Sequence, residues 1–505
     1  MRAVTADEAR RLDAATIGAG TPGILLMERA AAAVAAEVEA VLERRPGLGS
    51  EIGIVAGAGN NGGDGFEVAR LLGRGRPGRV TTFLVGDPGR LPPDAAITWK
   101  RLEESGSSIR RVREAGDLEP LRRATLAVDA LLGTGLNRPI GEGTLESQVA
   151  RLLSSVPFTA AVDIPSGLFG GQAEIPGPHV LADLTVTFGR PKLAHVFTPA
   201  AGACGRVVVA PIGLLAEEVP DEGSGPETVT GPDVARVFQR RPAESHKGSF
   251  GTLGVVGGSE GMAGAPALAA QAALRAGAGK AVVSAPGPVR PVVHLLCPEA
   301  TTSAEESDPG SWQAAAVGPG LGQTADSRAR LDRALRAPVP AVFDADALNL
   351  AGADPAYFRR QFPTVLTPHP GEAGRLLGVS TAQIGRDRTG AASLLARGSG
   401  AVVILKGFRS VVADPGGRIA FVLSGNPGMA TGGAGDVLTG IVGAFLARGL
   451  DGWTAAAAGA YLHGLAGDLA GERLGEEALT ASDIVRALAE AWLSLGSRRS
   501  HGPGR

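Results

Sequence analysis

The sequence predicts an α/β protein made of two three-layer αβα domains. Three observations carry that expectation. Short β-branched runs alternate with longer Ala- and Leu-rich stretches of helical period, the pattern of a mainly parallel sheet with helices on its faces. The rhythm breaks at 216–231 (AEEVPDEGSGPETVTG), a polar, acidic, Pro- and Gly-rich segment, and then resumes. The chain has 505 residues, more than one hydrophobic core holds at roughly 100–200 residues per domain.

The elements follow in order. Thr5 and Glu8 have capping-box spacing and open a first helix; a second follows Pro22 and runs to about Arg45. Strands are expected at 51–56, 79–85, 126–129, 159–164 and 184–188, with helices such as 65–72 and 144–153 between them. The second series places strands at 252–256, 281–284, 314–317, 341–344, 364–366 and 401–405. It closes in three Ala-rich helical stretches between about Gly428 and Leu493. The domains are therefore drawn at 1–220 and 232–493, with a linker at 221–231 and a disordered tail at 494–505.

Bulk composition narrows the function class. Lys+Arg is 49 and Asp+Glu is 51, a net charge of −2, so no basic excess points to nucleic acid or an anionic membrane. The two cysteines, Cys204 and Cys297, fall in different predicted domains and make neither a disulfide framework nor a thiolate zinc site. The N-terminus lacks the apolar stretch of a secretory signal, and no uncharged apolar run reaches the ~18 residues of a membrane span, so a cytosolic enzyme is expected.

In the first domain Gly57–Gly65 (GAGNNGGDG) lies between a strand and a helix. Gly57, Gly59 and Gly62 fit the dinucleotide fingerprint only loosely, since the next strand runs into Gly86-Asp87 without a clear ribose-binding acid. Asn60, Asn61 and Asp64 suit a hydroxylated ligand or a hard cation; they also suit a capped turn. Asp129 and Asp163 end two further strands, and ligands of open α/β sheets sit beyond strand C-termini, so three polar loops converge there. GNNGGDG (59–65), VDALLGTGL (128–136), VDIPSGL (162–168) and Arg190-Pro-Lys192 together resemble the NAD(P)H-hydrate epimerase family, which has a Rossmann-like fold. The resemblance implies potassium held by Asn61, Asp129 and Ser166. It implies substrate contacts at Asn60, Asn61, Gly62, Gly63 and Asp64, at Gly133, Thr134, Gly135, Leu136, Asn137, Arg138 and Pro139, and at Asp163, with Asp163 the candidate acid/base.

In the second domain Gly279-Lys280 is not a Walker motif, because Leu274 stands at the first glycine position and Ala281 at the hydroxyl position. The strongest feature is Asn426–Gly440 (NPGMATGGAGDVLTG), a Gly-rich turn opening an apolar helix. The amides of Gly433, Ala434 and Gly435 offer an anion hole and Asp436 a base, unless the turn is only a tight N-cap. His246–Gly251, Gly318–Gly322, Thr367–Glu372, Lys406-Gly407 and the ATGGAGD segment together resemble the NAD(P)H-hydrate dehydratase branch of the ribokinase-like superfamily. That resemblance implies hydrate contacts at Ala265, Gly320, His369 and Asp436. It implies nucleotide contacts at Lys406, Gly407, Phe408, Arg409, Ser410 and Gly435, and magnesium organised by Glu372.

The two resemblances imply one bifunctional activity. R and S hydrates of NADH and NADPH (NADHX and NADPHX) are interconverted. The S form is then phosphorylated at its C6 hydroxyl by ADP, with Asp436 as base, and loses phosphate to give NAD(P)H, AMP and phosphate. Both families self-associate, so a homo-oligomer is implied. Two alternatives stay open: a small-molecule kinase that keeps its phosphorylated product, and an N-terminal half reduced to a binding module.

Overall fold

The computed structural model describes residues 1–215, 225–238, 241–304 and 311–497. The chain divides into two compact units, Met1–Thr228 and Val229–Arg505.

The first unit is a seven-stranded sheet: β1 (Ile52–Gly57), β2 (Val80–Val85), β3 (Ser108–Val112), β4 (Leu126–Ala130), β5 (Thr159–Val162), β6 (Leu184–Phe188) and β7 (Arg206–Ala210). Every adjacent pair is parallel and the order is β3-β2-β1-β4-β5-β6-β7. β1, β4, β5 and β7 are buried along their whole length, which is why β1 and β5 read as continuous apolar runs rather than alternating ones. The chain runs outward from β1 in one direction and returns at β4 to run the other way, so a crevice opens at the carboxyl ends of β1 and β4. The helix Ala6–Gly18 has the expected capping box: Glu8 N–H donates to Thr5 Oγ1 at 3.2 Å and Thr5 N–H to Glu8 Oε2 at 2.7 Å. A second helix, Gly23–Arg44, follows Pro22.

The second sheet has ten strands: β8 (Glu227–Val229), which straddles the division between the units, then β9 (Thr252–Val256), β10 (Lys280–Ser284), β11 (Thr301–Ser303), β12 (Ala314–Val317), β13 (Ala341–Phe343), β14 (Thr364–Leu366), β15 (Val402–Leu405), β16 (Val411–Ala413) and β17 (Ile419–Val422). The order is β11-β10-β9-β12-β13-β14-β15-β16-β17-β8. Pairing is parallel from β11 to β15, and β16 and β17 then add an antiparallel hairpin. Helices Gly264–Arg275, Ala434–Ala447 and Gly452–Leu474 pack on it with almost no clearance. A Cβ at Gly440 would stand 2.1 Å from the Ala269 carbonyl oxygen, and one at Gly443 or Gly459 2.8 Å from Leu253 or Val442. Those glycines let the helices approach.

Two boundaries need correction. Residues 227–229, assigned to the linker, form the edge strand β8, and Gly231 begins a helix capped by Thr230 and Asp233; polar, Pro-rich composition hid three residues of strand, and 221–224 lie outside the described residues. The tail starts later than 494, because the helix Ala481–Ser497 buries Ala491 and Leu495 and continues to Ser497; 498–505 lie outside the described residues.

Candidate functional sites

β1 ends at Gly57, and the chain turns at once into the helix Asn60–Gly75. A Cβ at Gly62 would fall 1.8 Å from the Gly57 carbonyl oxygen, so only glycine lets this helix press onto the strand end. The Asn60–Asp64 motif is therefore the first helical turns and not a loop, as the expected start at 65 had it. Gly62 is buried in this packing and Gly63 against Met27 and Ala95, while Asn60 and Asp64 face a cleft of about 180 Å³ with Thr134 and Asp163. Of the Gly133–Pro139 loop only Thr134 lines that cleft; Gly135, Asn137, Arg138 and Pro139 are exposed and Leu136 partly so.

Asp129 is fully buried and accepts from Ser166 twice, from its amide at 2.8 Å and its hydroxyl at 2.6 Å. Burial pushes its carboxyl up to about 6 against those bonds. Asn61 lies beside them, close under Gly133, with its Nδ2 buried and unpartnered among the described residues. The three expected potassium ligands thus belong to neighbouring strand ends.

Asp163 holds a left-handed backbone (φ 64°) beyond β5. Its Oδ1 accepts from Lys192 Nζ at 2.5 Å and Thr187 Oγ1 at 2.8 Å. Burial alone would raise it; the Lys192 charge and these bonds outweigh burial and hold it below the usual carboxylate range. A carboxylate so paired is a fixed anion, which weighs against the proton-transfer role expected of it. Lys192, Arg190 and Asp13 also line the cleft. Arg190 and Lys192 stood in a motif that gave them no role, and Asp13 lies on the ordinary polar helix Ala6–Gly18, where no pattern marks it.

In the second unit the Gly-rich turn ends with Gly433 in the left-handed region (φ 88°) as N-cap of the helix Ala434–Ala447. Ala434 N–H turns back to the Thr431 carbonyl at 3.4 Å, and the first helical bond runs from Val437 N–H to Gly433 at 3.1 Å. The amides of Gly435 and Asp436 lie between, in the first turn, where the helix supplies no acceptor. The unbonded first-turn amides are thus those of Gly435 and Asp436, while Ala434, one of the three expected donors, is turned back onto Thr431. Asp436 beside it is pushed up to about 7, by burial first and then by Asp344, against the pull of Lys406.

Lys406 turns its ammonium onto two carboxylates. Its Nζ donates to Asp344 Oδ1 at 2.7 Å and stands 3.8 Å from Glu372, and Thr439 Oγ1 donates to Asp344 Oδ2 at 2.8 Å. Burial opposes the charge on Lys406, but Asp344 and Glu372 keep it raised above its ordinary value. Arg409 is buried too, its guanidinium donating to the Leu423 carbonyl and lying 4.8 Å from the Phe408 ring. Ser410 Oγ closes onto the Gly407 carbonyl at 3.0 Å. The Gly407–Ser410 segment thus offers main chain and the half-exposed Phe408, not an arginine.

His369 caps the helix Pro370–Leu377: Nδ1 accepts from the Gly371 amide at 3.0 Å and Nε2 stands 3.5 Å from Glu372 Oε1. Glu372 Oε2 accepts in turn from the His369 amide at 2.8 Å. Gly320 (φ 57°) packs against Ala265, whose Cβ would lie 3.2 Å from one added there. Asp346 accepts from the Gly322 amide at 2.8 Å and fixes that turn. Asp344 and Thr439, which tie strand end to helix, had no role at the level of sequence; the acid-rich stretch after β13 was the signal available.

Two family models match in the same order as the two sites. One, described as YjeF-related protein N-terminus, covers residues 24–194, and one described as NAD(P)H-hydrate dehydratase covers 253–490. A bifunctional NAD(P)H-hydrate repair enzyme of Moorella thermoacetica is 38% identical over 96% of this chain and 95% of its own length. The chain belongs to the bifunctional NAD(P)H-hydrate repair enzymes. The Escherichia coli member is 36% identical over 86% of this chain and 84% of its own. A solved structure, the ADP/ATP-dependent NAD(P)H-hydrate dehydratase from Bacillus subtilis co-crystallised with ATP and magnesium, matches 54% of this chain and 100% of its own at TM-score 0.51 and 33% identity. Asn60, Asp64, Asp129 and Asp163 fall inside the first matched segment, and Glu372, Lys406 and Asp436 inside the second.

Proposed function

We infer that this chain repairs hydrated NADH and NADPH. The N-terminal unit epimerises the R and S hydrates, and the C-terminal unit dehydrates the S form with ADP, giving NAD(P)H, AMP and phosphate. One observation supports this above the others: Asp436, raised to about 7, stands beside the first-turn amides at the mouth of the Gly-rich turn. A base matched to neutral pH takes the C6 hydroxyl proton while amides receive the transferring phosphoryl group. Phosphorylation turns a poor leaving group into a good one, and the ring nitrogen expels it. Gly435, Gly407, Phe408 and Ser410 are the nucleotide contacts, His369, Ala265 and Gly320 line the hydrate, and Lys406 and Arg409 act from behind.

Magnesium supplies charge neutralisation on the phosphates. Glu372, whose Oε1 stands 3.5 Å from His369 Nε2, would hold that ion through water. Potassium fits the first unit because Asp129 and Ser166 carry oxygens on neighbouring strand ends, and the unpartnered Asn61 amide can turn over to offer a third without loss of a bond. There it supplies a fixed positive charge. The unfolding temperature of the N-terminal unit is expected to rise in potassium chloride but not in tetramethylammonium chloride of equal ionic strength, and Asp129→Asn to lose that difference. An equal response to both salts in calorimetry counts against the site.

ADP and the nicotinamide cofactors are cytoplasmic pools, which supports a cytoplasmic setting; no described helix is long and apolar enough to cross a membrane. A homo-oligomer follows from the family habit and is read by light scattering. The functional test adds the chain to mixed R and S NADPH hydrate with magnesium, potassium and ADP. Recovery of reduced-cofactor absorbance from both epimers, with AMP and phosphate, is the expected result. Phosphate retained on the acceptor would instead reveal a simple kinase, and recovery of S alone an N-terminal unit that only binds.

A further inference from the structure

Asp13, Asp64 and Asp163 all line the N-terminal cleft, and they are not equivalent. Asp163 is an anion fixed by Lys192 and Thr187 on one oxygen. Asp64 faces the same cleft from the helix start, with no donor to its side chain among the described residues. Asp13 approaches from the helix Ala6–Gly18; Asp94, Arg190 and Lys192 are the other charged groups on the cleft wall. Burial, then the charges of Asp163 and Asp13, push the Asp64 carboxyl well above its ordinary range. Two carboxylates in one cleft, driven apart in this way, divide into a proton donor and a permanent anion.

We propose that Asp64 carries the proton of epimerisation and that Asp163 stays ionised to face the cation formed on the ring. This rests on the epimerase reading of the N-terminal unit. The Asp64 proton passes to the C6 hydroxyl. The C6–O bond breaks with its electron pair leaving in water, and the N1 lone pair forms the C6=N1 iminium. A water oxygen then adds to the opposite face of C6, the π pair returns to N1, and the surplus proton goes back to the Asp64 carboxylate. Nothing is oxidised or reduced. The carboxyl thus gives up and regains one proton in each turnover.

The test uses the full chain and purified R hydrate, with the spontaneous rate subtracted and ADP-dependent loss of S hydrate as the folding control. A donor must be protonated, so wild-type kcat/KM holds at low pH and falls as pH rises through the Asp64 value. Asp64→Asn is expected to lower kcat about 10²–10⁴-fold with KM little changed, as loss of a general acid does. Asp13→Asn removes a negative charge that raises Asp64, so it should move the alkaline limb to lower pH. A merely structural Asp64 would not respond to Asp13 in that way. Near-wild-type epimerisation by Asp64→Asn, or an alkaline limb that Asp13→Asn leaves in place, overturns the assignment alone. A wild-type chain that dehydrates S but never interconverts R and S overturns the epimerase reading and the assignment together.

Discussion

Asp436→Asn is expected to leave the chain able to epimerise NAD(P)H hydrate and unable to dehydrate it. The carboxylate is the one group in the turn that can accept the hydroxyl proton, and its amide analogue keeps size and hydrogen bonds while losing basicity. The loss in kcat should be about 10²–10⁴-fold. The sign of the wild-type pH dependence is fixed by the same group. A base acts when deprotonated, so dehydratase kcat should fall about tenfold per unit below roughly pH 7, the value to which burial and Asp344 raise Asp436. Steady-state rates on the S hydrate between pH 5.5 and 9 at about pH-unit steps read this limb. A profile flat through 7, or a variant within tenfold of wild type, would falsify the role of Asp436.

The second large effect is expected from Lys406→Met. The ammonium bridges Asp344, 2% exposed at its side chain, and Glu372, 5% exposed, and removing it leaves two buried carboxylates facing one another. Breaking one side of a buried pair costs about 3–5 kcal/mol, because the stranded charge is not hydrated. Urea unfolding reads this well: Trp312, Trp453 and Trp492 lie in this unit and only Trp99 in the other. Lys406 also lowers Asp436, so the variant that remains folded should carry its kinetic limb to higher pH. Unchanged stability together with an unmoved limb and a raised KM for ADP would mean that Lys406 binds the nucleotide after all.

Much of this arrangement is legible in the sequence, for identifiable reasons. Strands buried on both faces, such as IGIVAG in β1, announce themselves as apolar runs, and their loops carry the Asp and Gly that mark strand C-termini. Strands with little burial do not: β3 exposes Ser108, Arg110 and Arg111, and β11 buries none of its three residues. β7 is fully buried, yet it opens on Arg206 and lies beyond the last strand expected in the first domain, 184–188. Candidate residues were found because polar groups at strand ends are conspicuous. Their roles were harder to see. Whether Asp163 is a base or a fixed anion depends on Lys192, 29 residues away, and whether Lys406 meets a nucleotide or a carboxylate depends on Asp344, 62 residues back. Pairings of that range are decided by the fold, and local pattern carries no trace of them.

The helix contacts at Gly440, Gly443 and Gly459 bear on how freely this chain can drift. Its richness in Ala, Gly and Arg looks like the imprint of a GC-rich genome, and over most of the surface it can be erased codon by codon. At these three positions a side chain would meet an Ala269 oxygen, Leu253 or Val442 within 2.8 Å. Every glycine codon opens with two guanines, so here the protein dictates to the genome. A descendant in an AT-rich lineage would shed arginines and alanines elsewhere and still spell these sites with G.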